Sequence, residues 1–240
     1  MMEDNIFSRS EGLLGADVME RMKHVRVIIF GVGGVGSWCA ESLVRTGVHH
    51  LTIVDGDVVC ASNVNRQMMA TTKTIGQVKV DALKERLLEI NPNAQIEVIH
   101  KMYTEDTAND FRLSDYDYII DAIDSINDKM LLMLRACETS AVFYSSMGAA
   151  RKIDTSRIAV AEFWKVKGCP LGATLRRKFR ATGTFPKKKF KCVYSEEQPS
   201  PVVGGGLGSL HHITAIFGLT IASLVIKDMI MLAGMDEKMS

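Results

Sequence analysis

Three stretches of the chain bring together residue types suited to holding phosphate groups. Residues 31–36, GVGGVG, supply Gly31, Gly33, Gly34 and Gly36. Glycines there allow a tight turn and close backbone approach to a phosphate. Asp55 and Asp57 follow an apolar run about twenty residues on, where an acid can accept hydrogen bonds from ribose hydroxyls. Asn63, Arg66 and Gln67 come next at a loop-to-helix junction, and Lys79 falls in the first turn of a helix. A lysine at a helix start opposes the dipole. Exposed to solvent it would cost a few tenths of a kcal/mol, whereas a phosphate partner would account for it. With Asn63 and Arg66 nearby, the set points to a polyphosphate more than to a nicotinamide cofactor, which is held mainly by the turn and the ribose acid. Asp124 ends the segment DYDYIIDAID. There it can hold a magnesium ion bridging phosphates, or cap the following helix. Asp121 reads as structural.

The elements that must position these residues follow from hydrophobic period and breakers. An apolar strand at 27–30, the glycine turn, a helix over 35–46 and a strand at 51–54 make the start of a nucleotide-binding βαβ unit. A helix opened by Gly76 and Gln77 and stopped by Asn91-Pro92 comes next. Then come a strand over 95–100, a short helix over 104–113, a central strand over 115–124 and a helix after it. Further strands are expected at 141–146 and 158–164. In open parallel sheets ligands bind outside the carboxyl ends of the strands, so Asp121, Asp124 and the glycine turn share one crevice. The fold class is therefore α/β, with a mostly parallel Rossmann-like sheet, helices on both faces and a basic insertion in the C-terminal half. A single domain is expected: a helical segment over 1–24, in which Arg9 is a solvated residue of a helix over 7–22; a nucleotide-binding part over 25–150; and a substrate-binding part over 151–240.

With 240 residues, 47% of them hydrophobic, the chain can bury a full core. Its 29 basic and 28 acidic residues cancel, so any nucleic-acid argument must rest on local clustering. One cluster exists. Between Phe163 and Ser195 there is no acid, while Lys165, Lys167, Arg176, Arg177, Lys178, Arg180, Lys187, Lys188, Lys189 and Lys191 accumulate with Phe179, Phe185 and Phe190 between them. Such a run is either a solvated face or a surface for a phosphate backbone and unpaired bases. Gly183 and Pro186 suggest that residues 165–191 form a mobile loop. The five cysteines lack any CxxC pair, so no zinc site is expected, and reduced thiols suit a cytoplasmic protein. Cys192 is either a thiol activated by nearby cations or a small packed residue. The N-terminus has no signal-peptide pattern. The apolar run 213–226 reads as a buried helix, not a membrane span. Gly204, Gly205, Gly206 and Gly208 could form a second backbone turn or only a flexible entry to that helix. No role is assigned to His211 or His212.

The set GVGGVG, Asp55, Asn63-x-x-Arg66-Gln67, Lys79 and DAID ending at Asp124 resembles the adenylating fold of the ThiF/MoeB and ubiquitin-activating superfamily. The stretches around residues 45–67 and 121–129, together with CVYSEE and GGGLGS, resemble the branch of tRNA threonylcarbamoyladenosine dehydratases. That resemblance implies that Gly34 and Asp55 hold the phosphates and ribose of ATP. Asn63, Arg66 and Lys79 would contact the triphosphate and stabilise departing pyrophosphate, and Asp124 would hold Mg2+. Arg9 would reach across a homodimer to the partner's ATP site. The implied activity is adenylation of the threonyl carboxylate on a modified adenosine beside the tRNA anticodon, followed by ring closure with loss of AMP. Arg176, Arg177, Lys178, Arg180, Lys187, Lys188, Lys189 and Lys191 would be the tRNA contacts. The alternative is adenylation of the C-terminal glycine of a ubiquitin-like sulfur carrier. Whether a sulfur-transfer protein also docks is left open by the sequence.

Overall fold

In β1 (Arg26–Phe30) four successive residues, Val27 to Phe30, are completely buried. A strand apolar on both faces needs a layer on each side, and the chain supplies them. Val27 and Ile29 face a core shared with Leu43 and Phe217; Ile28 and Phe30 face a second core with Leu132 and Phe143. The computed structural model describes residues 5–201 and 208–236. Its seven-stranded sheet adds β2 (His50–Val54), β3 (Gln95–Ile99), β4 (Tyr118–Asp121), β5 (Val142–Ser146), β6 (Ile158–Glu162) and β7 (Lys191–Ser195). The strand order is β3-β2-β1-β4-β5-β7-β6, parallel throughout except for the antiparallel edge strand β6. This is the expected mostly parallel Rossmann-like sheet. The order reverses between β1 and β4, which is where such sheets open a crevice.

The helices are α1 (Ser8–Leu14), α2 (Ala16–His24), α3 (Gly36–Arg45), α4 (Lys79–Ile90), α5 (Ile126–Ala136), α6 (Pro170–Thr182) and α7 (His211–Asp236). Four expectations need correction. The N-terminal helix is two helices, broken at Gly15, whose φ of 82° no regular helix accommodates. Residues 104–113 are not a helix but an irregular stretch with a 3-10 turn at Ala108–Asp110. The Thr107 hydroxyl there accepts from the Thr104 N–H and donates to the Met102 carbonyl, tying backbone groups a helix would use. The basic segment is not a mobile loop. About half of it is α6, with Pro170 in its first turn, the Cys169 sulfur accepting from Gly172 N–H, and Gly183 closing it in the left-handed conformation at φ 68°. Residues 183–190 then lead into β7, whose first residue is Lys191. Finally α7, at 26 residues, is longer than its apolar run suggested and long enough in principle to cross a bilayer. Its Ile213, Phe217, Ile221, Ala222 and Val225 are buried against α3, and Gly218 meets the Val35 carbonyl where any Cβ would collide. It serves as a core helix here. Of the second glycine-rich segment, Gly204, Gly205 and Gly206 lie outside the described residues.

Candidate active site

A cavity of about 660 Å³ opens at the carboxyl ends of β2, β1, β4 and β5. The turn after β1 forms its floor. Gly31 has φ 85° and lies so close to the Ala122 carbonyl that a Cβ would come within 2.8 Å, while a Cβ on Gly36 would overlap the Gly31 carbonyl. Gly31, Gly33 and Gly34 line the cavity. Gly36 packs α3 onto the turn and does not. A more open groove of about 910 Å³ lies at the other end of the strands, among residues of α2, α7 and the loops entering β4 and β5. It holds none of the residues singled out for phosphate chemistry.

Asp55 sits where β2 ends, with its carboxylate accepting from Val32 N–H at 2.9 Å and Asp57 N–H at 2.9 Å. It thus clamps the glycine turn as well as lining the cavity, and each oxygen keeps capacity for a second donor. Lys79, the first residue of α4, is buried at 5% exposure, with its ammonium 2.7 Å from Asp57 and 4.0 Å from Asp55. It is therefore neither a solvent-facing lysine nor unpartnered: two carboxylates hold a cation at the cavity wall. Arg66 lines the cavity with its guanidinium steadied by the Ser62 carbonyl and the Asn65 carboxamide, each at 2.9 Å. Gln67 lines it too, and its buried Oε1 has no partner among the described residues.

Two residues fall elsewhere. Asn63 does not line the cavity; its side-chain oxygen accepts from Cys60 N–H at 3.0 Å and shapes the turn that presents Arg66 and Gln67. Arg9 is exposed on α1, away from the cavity of its own chain. Asp124 is exposed in the cavity wall, and it does not cap α5, whose cap position is Ser125 without a side-chain bond. Asp128, one turn into α5, joins it there. Asp121 is structural as expected. Completely buried, it pairs with Lys129 at 2.8 Å and accepts from Ser145 at 2.7 Å and Ile123 N–H at 3.0 Å, while Lys129 donates to the Ile123 carbonyl at 2.9 Å. This network fixes the loop that carries Asp124. Cys192 is fully buried and burial holds its thiol well above the ordinary range, so it is a packed residue and not a thiolate nucleophile.

The sequence reading missed a second group. Lys101 to Thr104 line the cavity past β3, and the buried Tyr103 hydroxyl has no partner among the described residues, its pKa pushed up to about 12 by desolvation. Arg151 and Lys152 line it past β5, with Pro170 and Leu171 of α6. The available signal was positional, since each follows the carboxyl end of a strand. Of the basic cluster, Lys165, Lys167, Arg177, Arg180, Lys187, Lys189 and Lys191 are exposed. Lys187 pairs with Glu138, Lys178 donates to Asn127, and Lys188 donates to the carbonyls of Thr139 and Ala141. Phe179 and Phe190 are core residues and offer no face to a base; Phe185 and Trp164 are the exposed rings, 5.8 Å apart.

A partly buried cavity floored by a glycine turn, walled by an Asp–Lys cluster and carrying free carboxylates beside it, defines a nucleotide-binding α/β protein equipped for phosphate chemistry. The ThiF family profile matches residues 7–238, and the chain belongs to the ThiF family. It is 40% identical over 193 residues, 80% of this chain and 75% of the relative, to the tRNA threonylcarbamoyladenosine dehydratase of Bacillus subtilis. It is 32% identical to the Haemophilus influenzae protein of that name over 95% of both chains. The crystal structure of Escherichia coli TcdA, the tRNA N6-threonylcarbamoyladenosine dehydratase, in complex with ATP superposes with a TM-score of 0.89 at 31% identity over 98% of both chains.

Proposed function

We propose that the chain is an ATP-dependent tRNA threonylcarbamoyladenosine dehydratase. The observation that carries the reading is the shape of one cavity. Its β1–β2 side has the glycine turn, Asp55 and Lys79 for a nucleotide, and its far wall is the first turn of the basic helix α6. Relatives matching nearly the full length carry that activity in their names. The orphaned Gln67 Oε1 and Tyr103 hydroxyl supply unmet polar groups that fit a bound nucleotide.

A free carboxylate is a poor electrophile. In the first step a threonyl carboxylate oxygen attacks the α-phosphorus of ATP, forming an acyl–phosphate anhydride while pyrophosphate leaves with the electron pair of the broken P–O bond. In the second, a nucleophile of the same side chain attacks the acyl carbon. AMP leaves, the nucleophile loses its proton, and a ring closes with net loss of water. Arg66 and Lys79 offset charge developing on pyrophosphate. Asp124, with Asp128 nearby, fits the one or two carboxylates Mg2+ takes when phosphates supply other ligands; such an ion would neutralise phosphate charge. No step needs a protein nucleophile, in keeping with the buried Cys192.

In the same proposal the exposed Arg9, and the exposed apolar Ile6 and Leu13 beside it, belong to a homodimer face from which Arg9 reaches the partner's nucleotide. The exposed cations of residues 165–191 bind tRNA. All five thiols are free, in keeping with a cytoplasmic location. The test is mass spectrometry of nucleosides from threonylcarbamoyl-modified tRNA incubated with protein, ATP and Mg2+. A species lighter by one water, formed only with ATP, is expected. An unchanged nucleoside together with pyrophosphate exchange on a ubiquitin-like sulfur carrier would overturn the reading.

A further inference from the structure

Lys152 is 2% exposed in the cavity wall, yet no carboxylate lies within ion-pair distance of it among the described residues. Its ammonium donates to the backbone carbonyl of Glu197. The Glu197 carboxylate, the nearest acid in sequence terms, is occupied otherwise, accepting from the N–H groups of Ile153 and Asp154 at about 3.0 Å. A buried cation without a counterion is costly, and desolvation accordingly pulls the Lys152 pKa below the usual lysine range. By contrast the buried Lys79 has two acids and the buried Lys129 has one.

The backbone that delivers Lys152 is itself held by force. Arg151 is the single non-glycine residue with positive φ, 62°, among the described residues. It is clamped on both sides: its N–H donates to the Gly208 carbonyl, while its carbonyl accepts from Ser200 N–H and its guanidinium donates to the Ser200 carbonyl, at 2.7–2.8 Å. A strained backbone persists where surrounding contacts over-determine it, commonly at ligand sites. Lys152 also lies on a different side of the cavity from the nucleotide set. Asp55 and Lys79 follow β2 whereas residues 147–152 follow β5, with β1 and β4 between them, so roughly 14 Å of sheet separates the two ends at about 4.8 Å per strand.

Two anions must meet in the adenylation step; at the nucleotide end Lys79 is already paired with two acids, and Arg66 is assigned on the dehydratase reading to the departing pyrophosphate. We propose that Lys152 is the anchor for the threonyl carboxylate of the tRNA substrate, the missing counterion being supplied by the ligand. The inference rests on the dehydratase reading and names its acyl subsite. It places the carboxylate against the β5 end, facing the α-phosphate, with the Lys152 ammonium as the oriented charge that brings it there.

The experiment compares two anticodon stem–loop RNAs, one with the threonylcarbamoyl adenosine as the free carboxylate and one as its methyl ester, each bound to protein holding an α,β-methylene ATP analogue. Wild-type protein should prefer the acid by roughly tenfold or more, the worth of a hydrogen bond to a charged group. Lys152→Met should erase that preference while leaving affinity for the analogue unchanged, and Lys152→Arg should keep most of it. If Lys152→Met weakens both RNAs equally, the lysine merely pins the Glu197 segment and the inference is overturned; full retention of the preference overturns it as well. Wild-type protein that converts modified tRNA but does not discriminate acid from ester sinks the inference and spares the dehydratase reading. Failure to convert modified tRNA at all sinks both.

Discussion

Asp124 and Cys192 are two side chains with opposite surroundings, the first open to the cavity and the second fully buried. Asp124 is exposed to the cavity with no capping duty, held there by the buried Asp121–Lys129 pair beneath its loop. On the proposed reading Asp124 holds the Mg2+ that neutralises phosphate charge, and losing such stabilisation costs about 10²–10³-fold in rate, so Asp124→Ala should lower ATP-dependent conversion by at least that much while leaving the unfolding midpoint within experimental error. Cys192→Ser should retain most activity. In the native protein Cys60, the exposed cysteine of the five, should be the one alkylated rapidly by iodoacetamide, with modified peptides read by mass spectrometry. Rapid labelling of Cys192 would refute its assignment as a packed residue. That Asp55, Lys79 and Asp124 reach the cavity was legible in the sequence because their placement follows from position after a strand or at a helix start. Asn63 was not: its spacing suits a phosphate contact and a turn-closing carboxamide alike, and only the geometry distinguishes them.

Glycine roles separate at the scale of elements. Gly36 and Gly183 begin α3 and close α6, and an alanine at each meets a different obstacle. At Gly36 the new Cβ would collide with the Gly31 carbonyl, a backbone atom that can move only by deforming the turn. At Gly183 nothing lies within 4 Å, and the left-handed φ of 68° is the whole obstacle. Gly183→Ala should therefore cost about 1 kcal/mol and leave ATP affinity intact. Gly36→Ala should cost at least about 2 kcal/mol and lose ATP binding with it; urea unfolding and nucleotide titration measure both. Lys129→Met, which strands the Asp121 carboxylate in a dry site, should cost about 3–5 kcal/mol in the same unfolding experiment. Strands β1 to β6 were readable from apolar runs between breakers. Helix α6 was not, although Pro170 at its start and Gly183 just past its end bracket it as such residues do; a dense run of cations suits a solvated loop as well as a helix face. The irregular 104–113 stretch was misread because threonine hydroxyls compete locally with helical bonding. Lys152 and Tyr103 were invisible for another reason: only the strand order brings them to the same cavity.

For the whole molecule, the proposed dimer predicts that active sites are shared. Arg9→Ala and Lys79→Ala should each be inactive alone. Mixed after unfolding and refolding together, they should recover roughly a quarter of wild-type activity, since random pairing under two-fold symmetry gives half mixed dimers, each with one intact site; no recovery would confine Arg9 to its own chain. The charge distribution bears on the second partner. Net charge is +1, so long-range attraction to tRNA cannot come from the whole protein and must come from one face. Helix α6 runs outward from the cavity wall at Pro170 and Leu171, carrying Arg177 and Arg180, and the strand after it brings Lys189 and Lys191, all exposed. Arg177, Lys189 and Lys191 have no ion-pair partner among the described residues, whereas Lys187 is already paired with Glu138. Counterion release makes each phosphate contact steepen the salt dependence of binding, by about 0.7–0.9 in the log–log slope. Arg177→Ala, Lys189→Ala and Lys191→Ala should thus each flatten the slope for tRNA binding by about that amount, with ATP affinity unchanged. Lys187→Ala should flatten it less, because its charge is partly spent within the protein. Equal effects from all four would mean that the face acts as a diffuse field, and no change from any would place the tRNA on another surface.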